Sequence, residues 1–242
     1  LGHPAGVFGG AASITGGPYF GAARVHTALL RDGIMDPEHG AVEAWYRQES
    51  DPVPYSHNPH RIFGGPYSLV GIDEVNLYSQ DAVDSGDPRL HFALFFGVEP
   101  PPYTPPHLVA ARSLADGGDG VPISQYNGQW IHVAGVWDRS GIAGSADTIR
   151  LYVNGEVVAA SQQNDWGSTR CTDRLPGTDR CFLDIAGCND TCADTFSVDN
   201  LKVWDYAKTD FGDRFQEGFG NQAPDCSNVA ATPGSIWPGN RD

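Results

Sequence analysis

Glu43, Trp45 and Arg47 stand at alternate positions in GAVEAWYRQ. In a strand this spacing puts all three on one face. A sugar needs a flat aromatic plate for its C–H face and polar groups for its hydroxyls, and this trio supplies both. His91, Arg150 and Tyr152, from neighbouring strand-like segments, are candidates to join the stripe. The same residues support a structural reading, in which Trp45 is core and Glu43 pairs with Arg47 or Arg150. Catalysis has fewer supports. Glycoside hydrolysis needs two carboxyl groups about 5–5.5 Å or 6.5–9.5 Å apart, and Asp73-Glu74 offers only adjacent acids. A lyase needs a proton acceptor and a charge neutraliser, for which His91, His132 and Tyr152 are the available set. No nucleophile elbow, phosphate loop, dinucleotide fingerprint or His-Glu-x-x-His motif occurs. A binding module is therefore favoured over an enzyme.

The cysteines lie late in the chain, at 171, 181, 188, 192 and 226. Local spacing favours Cys171–Cys181 and Cys188–Cys192, although four cysteines allow three pairings. Zinc is the alternative, but structural zinc sites usually show two Cys-x2-Cys knuckles. Disulfides imply an extracellular or cell-surface setting. Cys226 is left over, to pair with another chain or remain a thiol.

Charge limits the partners. Thirty acidic against fifteen basic residues give a net charge of −15. Such a chain repels phosphate backbones and anionic membranes, and no apolar run is long enough for a membrane helix. Nucleic acid and membrane insertion are excluded on these grounds, leaving a glycan, or other protein chains engaged through Cys226 or the tail. Only Lys202 and Lys208 are lysines. The start, LGHPAGVFGG, lacks methionine and fits a processed or trimmed amino terminus.

The elements that would position these residues are strands. The 242 residues include 30 glycines and 18 prolines, a turn-rich composition that disfavours long helices. Alternation marks strands over 40–48 and 129–138, a strongly hydrophobic run marks one over 89–99, and 181–187 and 195–207 complete the set. Asn154-Gly155, between alternating runs at 147–161, predicts a tight hairpin. Shorter strands are expected at 20–30 and around 61–80, with one short helix in 208–219. The expected core is Val42, Ala44, Ile62, Val75, Leu77, Phe92, Leu94, Phe96, Ile131, Val133, Ile149, Leu151, Val153, Leu183, Ile185, Leu201 and Val203. One domain over 1–220 and a polar tail or strap over 221–242 account for the chain. About ten to thirteen strands without a helix of useful length predict an all-β, two-sheet antiparallel sandwich.

The segments GAVEAWYRQ, QWIHVAGVWD, IRLYVNGEVVA and FSVDNLKVWDYAKTDF, in that order, resemble the laminin-G-like jelly roll of concanavalin A-like lectins and glucanases. The resemblance implies two curved antiparallel sheets and a carbohydrate-binding, adhesive or polysaccharide-degrading role. The Glu-x-Asp-x-x-Glu strand usual in glucanases of this fold is missing. The resemblance also implies a structural calcium, with Asp199 meeting the N-terminal glycine-rich segment and Gly16, Gly17 and Tyr19 lending carbonyls. The simpler reading is that Asp199 accepts backbone N–H bonds at a turn.

Overall fold

The structure is a computed structural model. It describes residues 5–10, 12–14, 23–26, 36–48, 60–67, 75–81, 88–94, 96, 109–110, 112–113, 120–168, 182–187 and 196–216. Its strands are β1 (Ala5–Gly6), β2 (Gly9–Gly10), β3 (Ala12–Ile14), β4 (Ala23–His26), β5 (His39–Gln48), β6 (His60–Tyr67), β7 (Val75–Asp81) and β8 (Pro88–Leu94). They continue as β9 (Val109–Ala110), β10 (Arg112–Ser113), β11 (Val121–Pro122), β12 (Ile131–Asp138), β13 (Ile149–Val153), β14 (Glu156–Ser161), β15 (Phe182–Gly187) and β16 (Phe196–Trp204). Beside the β1–β2 hairpin stand two seven-stranded sheets. One has the order β10-β14-β13-β12-β5-β16-β3; the other runs β11-β8-β7-β6-β15-β4, with β9 pairing on β8. All ladders between these strands are antiparallel. The two-sheet antiparallel sandwich expected from the sequence is the architecture found.

The core forms where the sheets meet. Val42, Ala44 and Tyr46 of β5 face it, with Ile131, Val133 and Trp137 of β12 and Ile149, Leu151 and Val153 of β13. Ile62, Phe63, Val75, Leu77, Leu90, Phe92 and Leu94 close it from the other sheet. Ile185, Leu201 and Val203 pack at its margin, half-buried; the side chain of Leu183 lies outside the described residues. Gly135 sets the sheet separation locally, since a Cβ there would overlap the Phe92 ring. Trp166 joins the core from a loop, its indole N–H donating to the Pro37 carbonyl at 2.9 Å. The Arg139 guanidinium stacks 4.5 Å over that ring.

The Asn154-Gly155 turn joins β13 to β14. Both residues have positive φ, +54° and +90°, as a two-residue hairpin of this type requires. Strand ends elsewhere fall within a few residues of the sequence reading, except that the strand expected over 89–99 is Pro88–Leu94. The short helix expected in 208–219 is a single 3-10 turn, Gly212–Phe215. The tail 221–242 lies outside the described residues.

Candidate functional site

Period two along β5 turns Ala41, Glu43, Trp45 and Arg47 away from the second sheet. Neighbouring strands add to this outer face by register. Glu43 stands opposite Ala134 of β12 and Lys202 of β16, while Trp45 stands opposite His132 and Asp199. Tyr152 of β13 stands opposite Ala134. After β16 the chain folds back as a strap, residues 205–216, and covers this face. Phe211 of the strap is buried in a second apolar cluster with Ala41, Ala134, Val136, Ile142 and Tyr152. Its ring lies 4.9 Å from Tyr152 and 5.3 Å from His132.

The polar centre beneath the strap is Glu43, 1% exposed. One carboxylate oxygen, Oε2, lies 2.7 Å from His132 Nε2. The other, Oε1, accepts from Trp204 Nε1 at 2.8 Å and from Lys208 Nζ at 2.9 Å. Lys208 also donates to Asp213 at 2.8 and 3.0 Å, and sits 4.1 Å over the Trp204 ring. Burial by itself would raise the Glu43 pKa. The hydrogen bonds from His132 and Lys208, with the Lys208 charge, outweigh it and bring the pKa to about 2. Burial lowers the His132 pKa, against the opposing bond and charge of Glu43; Arg214 and Lys208 lower it further. A neutral His132 therefore donates from Nε2 to ionised Glu43. Its Nδ1 is buried without a hydrogen-bond partner among the described residues. Lys202, buried beside the same network, donates to the Gln216 carbonyl at 3.1 Å. Burial lowers its pKa.

Trp45 is 6% exposed. Its indole N–H donates to the Arg214 carbonyl at 3.0 Å, and Phe215 packs on it at 5.4 Å. An open stripe of Glu43 and Trp45 is therefore corrected to a covered one, because the strap occupies the space in front of them. Glu43 does not take Arg47 or Arg150 as its partner. Arg47 stacks over Trp130 at 4.9 Å, and Arg150 bonds to Asp147 and Ser145. Tyr152 belongs to the covered face. His91 does not. It sits on β8 of the other sheet, between inward-facing Leu90 and Phe92, beside Gly120.

Asp199 does meet the N-terminal segment. Its Oδ2 accepts from the Phe8 N–H at 2.9 Å, and its Oδ1 accepts from the Asn200 N–H at 2.8 Å. This is the N–H-accepting arrangement, at a bulge where Asn200 has φ +48°. Among the described residues no group of three or more His, Cys, Asp or Glu could hold a metal. Gly16, Gly17, Tyr19, Asp73, Glu74 and the cysteines lie outside the described residues.

Sequence reasoning missed Lys208 and Trp204 as partners of Glu43, and Asp213 as the second acceptor of Lys208. One signal was present. A chain with two lysines places both of them, Lys202 and Lys208, buried on this face. Lysine is almost never buried unless paired, so its rarity elsewhere marked these two positions.

A two-sheet antiparallel sandwich is the architecture of concanavalin A-like domains. The chain belongs to the concanavalin A-like lectin/glucanases superfamily, whose laminin-G-type family model matches residues 28–210. No curated protein matches it by sequence. Among solved structures, the binding domain of botulinum neurotoxin serotype D is similar at 10% identity and TM-score 0.50, over 83% of this chain and 40% of that one. A SAP-like pentraxin from Limulus polyphemus gives 16% identity and TM-score 0.36, over 81% and 69%. An alginate lyase from Pseudomonas aeruginosa gives 16% and 0.35, over 69% and 64%. This chain thus spans about two fifths of the neurotoxin binding domain, and likenesses at such identities concern the fold alone.

Proposed function

We propose that the domain is an extracellular, non-catalytic module that binds glycan. One observation carries this reading. Among the described residues, the acid–base pair at the centre of the outer face, Glu43 and His132, is covered by the strap, with Glu43 bonded to both His132 and Lys208. A substrate cannot reach a carboxylate whose side chain is 2% exposed. Family membership supplies the ligand class, and the exposed aromatic rings of the strap supply a surface for it. The test incubates the protein with neutral and acidic polysaccharides. It measures retention on the polymer alongside release of reducing ends or unsaturated products. Retention without product is the expected result. Product formation that Glu43→Gln abolishes would overturn the non-catalytic reading, and no retention on any polymer would leave an assembly module.

Two further elements belong to the proposal. Calcium at Asp199 would reinforce the tie between the N-terminal segment and β16 that the Phe8 N–H already makes, so excess chelator should lower the melting temperature and Asp199→Ala should remove that response. Cys171–Cys181 and Cys188–Cys192 disulfides would appear in peptide maps made without reductant.

A further inference from the structure

Tyr206 and Phe215 are the exposed large hydrophobic side chains among the described residues, at 49% and 61%. Both belong to the strap, and both are braced from beneath. Tyr206 stands edge-on to Trp204 at 5.6 Å, and Phe215 lies on Trp45 at 5.4 Å. Each tryptophan is in turn pinned by its indole N–H, Trp204 to Glu43 and Trp45 to the Arg214 carbonyl. The rings are therefore fixed platforms, and little ordering remains for a ligand to impose. The buried polar network that removes Glu43 from solvent is what holds them.

We propose that Tyr206 and Phe215 form a two-ring platform for an uncharged polysaccharide lying along the strand direction. The proposal rests on the reading of the domain as a glycan-binding module and gives that module its surface and ligand class. Spacing is the first argument. Trp204 pairs with Ala41, and Trp45 lies four residues further along β5, about 13 Å at the rise of a strand. Rings braced on two tryptophans offset in this way along the sheet suit a linear polymer, which presents its C–H faces repeatedly along its length. A protein partner would instead favour a contiguous, fully desolvated anchor. Charge is the second argument. The described cations of this face are committed internally: Lys208 to Glu43 and Asp213, Lys202 to Gln216, Arg47 to the Trp130 ring, Arg150 to Asp147 and Ser145, and Arg214 to the Phe211 carbonyl and, 4.5 Å away, to the Phe215 ring itself. Asp205 and Asp210, by contrast, are exposed on the strap. Carboxylates accept from sugar hydroxyls and repel uronates and sulfates, as does a chain of net charge −15.

Affinity electrophoresis and calorimetry on the full chain test this, with xylan and mixed-linkage β-glucan as neutral probes and alginate and polygalacturonate as acidic ones. Expected are retention by a neutral probe and none by the acidic pair. Tyr206→Ala and Phe215→Ala should each weaken association about three- to tenfold, the range of one aromatic contact. Phe215→Leu keeps apolar cover over Trp45 and loses the flat ring. It should bind as weakly as Phe215→Ala while melting like the parent. A Tyr206→Ala/Phe215→Ala double variant that is folded and binds as the parent does would overturn the platform, with the glycan-binding reading intact. Retention by acidic probes alone would overturn the ligand class. A parent that binds none of the four polymers, or Phe215→Leu binding at parental strength, would also end the proposal.

Discussion

Glu43 is an ionised carboxylate almost wholly removed from water, and such a charge is tolerable only when paired and hydrogen-bonded. His132, Trp204 and Lys208 supply the pairing, so removing the charge should be expensive. Glu43→Gln leaves Lys208 with Asp213 alone as a counter-charge, and should cost about 3 kcal/mol in denaturant unfolding. Lys208→Met should cost a similar amount. In the double variant the two losses should fall well short of additive, because each single change breaks the same contact. The pH dependence follows in sign from two depressed pKa values. Glu43 falls from 4.5 to about 2 on folding. Between those values the unfolded chain binds the extra proton, so this stability is present above pH 4.5 and is lost as the pH falls to 2. The shift amounts to about 3 kcal/mol. His132 is also lowered, from 6.5, and its contribution declines in the same direction as the pH drops below 6.5. Melting temperature should thus fall in two stages on acidification. Glu43→Gln should flatten the lower stage. A melt that stays level from pH 6 to pH 2.5 would contradict the buried ion pair.

The strap is the element on which the outer face depends. It contains one 3-10 turn, too short for an amphipathic period, and it holds its place through Phe211 and four polar ties. Those ties are Lys208 to Glu43, Trp45 to the Arg214 carbonyl, and Lys202 and Asn200 to the Gln216 carbonyl. Phe211→Ala would open a cavity among Ala41, Val136, Ile142 and Tyr152, and should cost about 3–5 kcal/mol. If the strap unfolds with the body, the variant keeps a single cooperative transition at lower denaturant. A separate early transition reported by Trp45 fluorescence would show instead that the strap opens by itself. The strands beneath were readable because alternation is local. Val42, Ala44 and Tyr46 declare the inner face of β5 within five residues, and Asn154-Gly155 declares its hairpin within two. The cover was not readable. Glu43 and Lys208 are 165 residues apart, and no periodicity links a carboxylate in one strand to an ammonium in an irregular segment. Trp45 illustrates the ambiguity, since a tryptophan facing a binding groove and one facing a strap have the same pattern. His91 went astray for a related reason. Its strand was identified correctly, but sheet assignment depends on pairing, which the residues around it do not encode.

At the scale of the whole molecule, two sheets must approach at one separation across their full width, and side-chain size sets it. Most of the core was legible because apolar runs on both sheets, such as Leu90, Phe92 and Leu94 against Ile131 and Val133, leave little choice of inward face. Trp166 was not, because a loop residue carries no period. The complementarity between sheets was equally hidden: Gly135 reads in isolation as a weak point in β12, yet it is where the Phe92 ring enters. Phe92 is fully buried and lies 6.2 Å from Trp137, so the ring cannot move without disturbing packed neighbours. A methyl group at 135 must therefore displace Phe92 or separate β12 from β8. Overpacking of this kind costs about 1–3 kcal/mol. Gly135→Ala removes no contact and creates no buried charge, so a loss of that size would report sheet separation directly. Phe92→Leu in the same chain should recover part of the loss, because the smaller side chain makes room for the methyl group while forming a cavity of its own. If Gly135→Ala melts with the parent, the sheets are free to shift, and their spacing is not fixed at this point. If the second change only adds its own penalty, Phe92 is not what the methyl group meets.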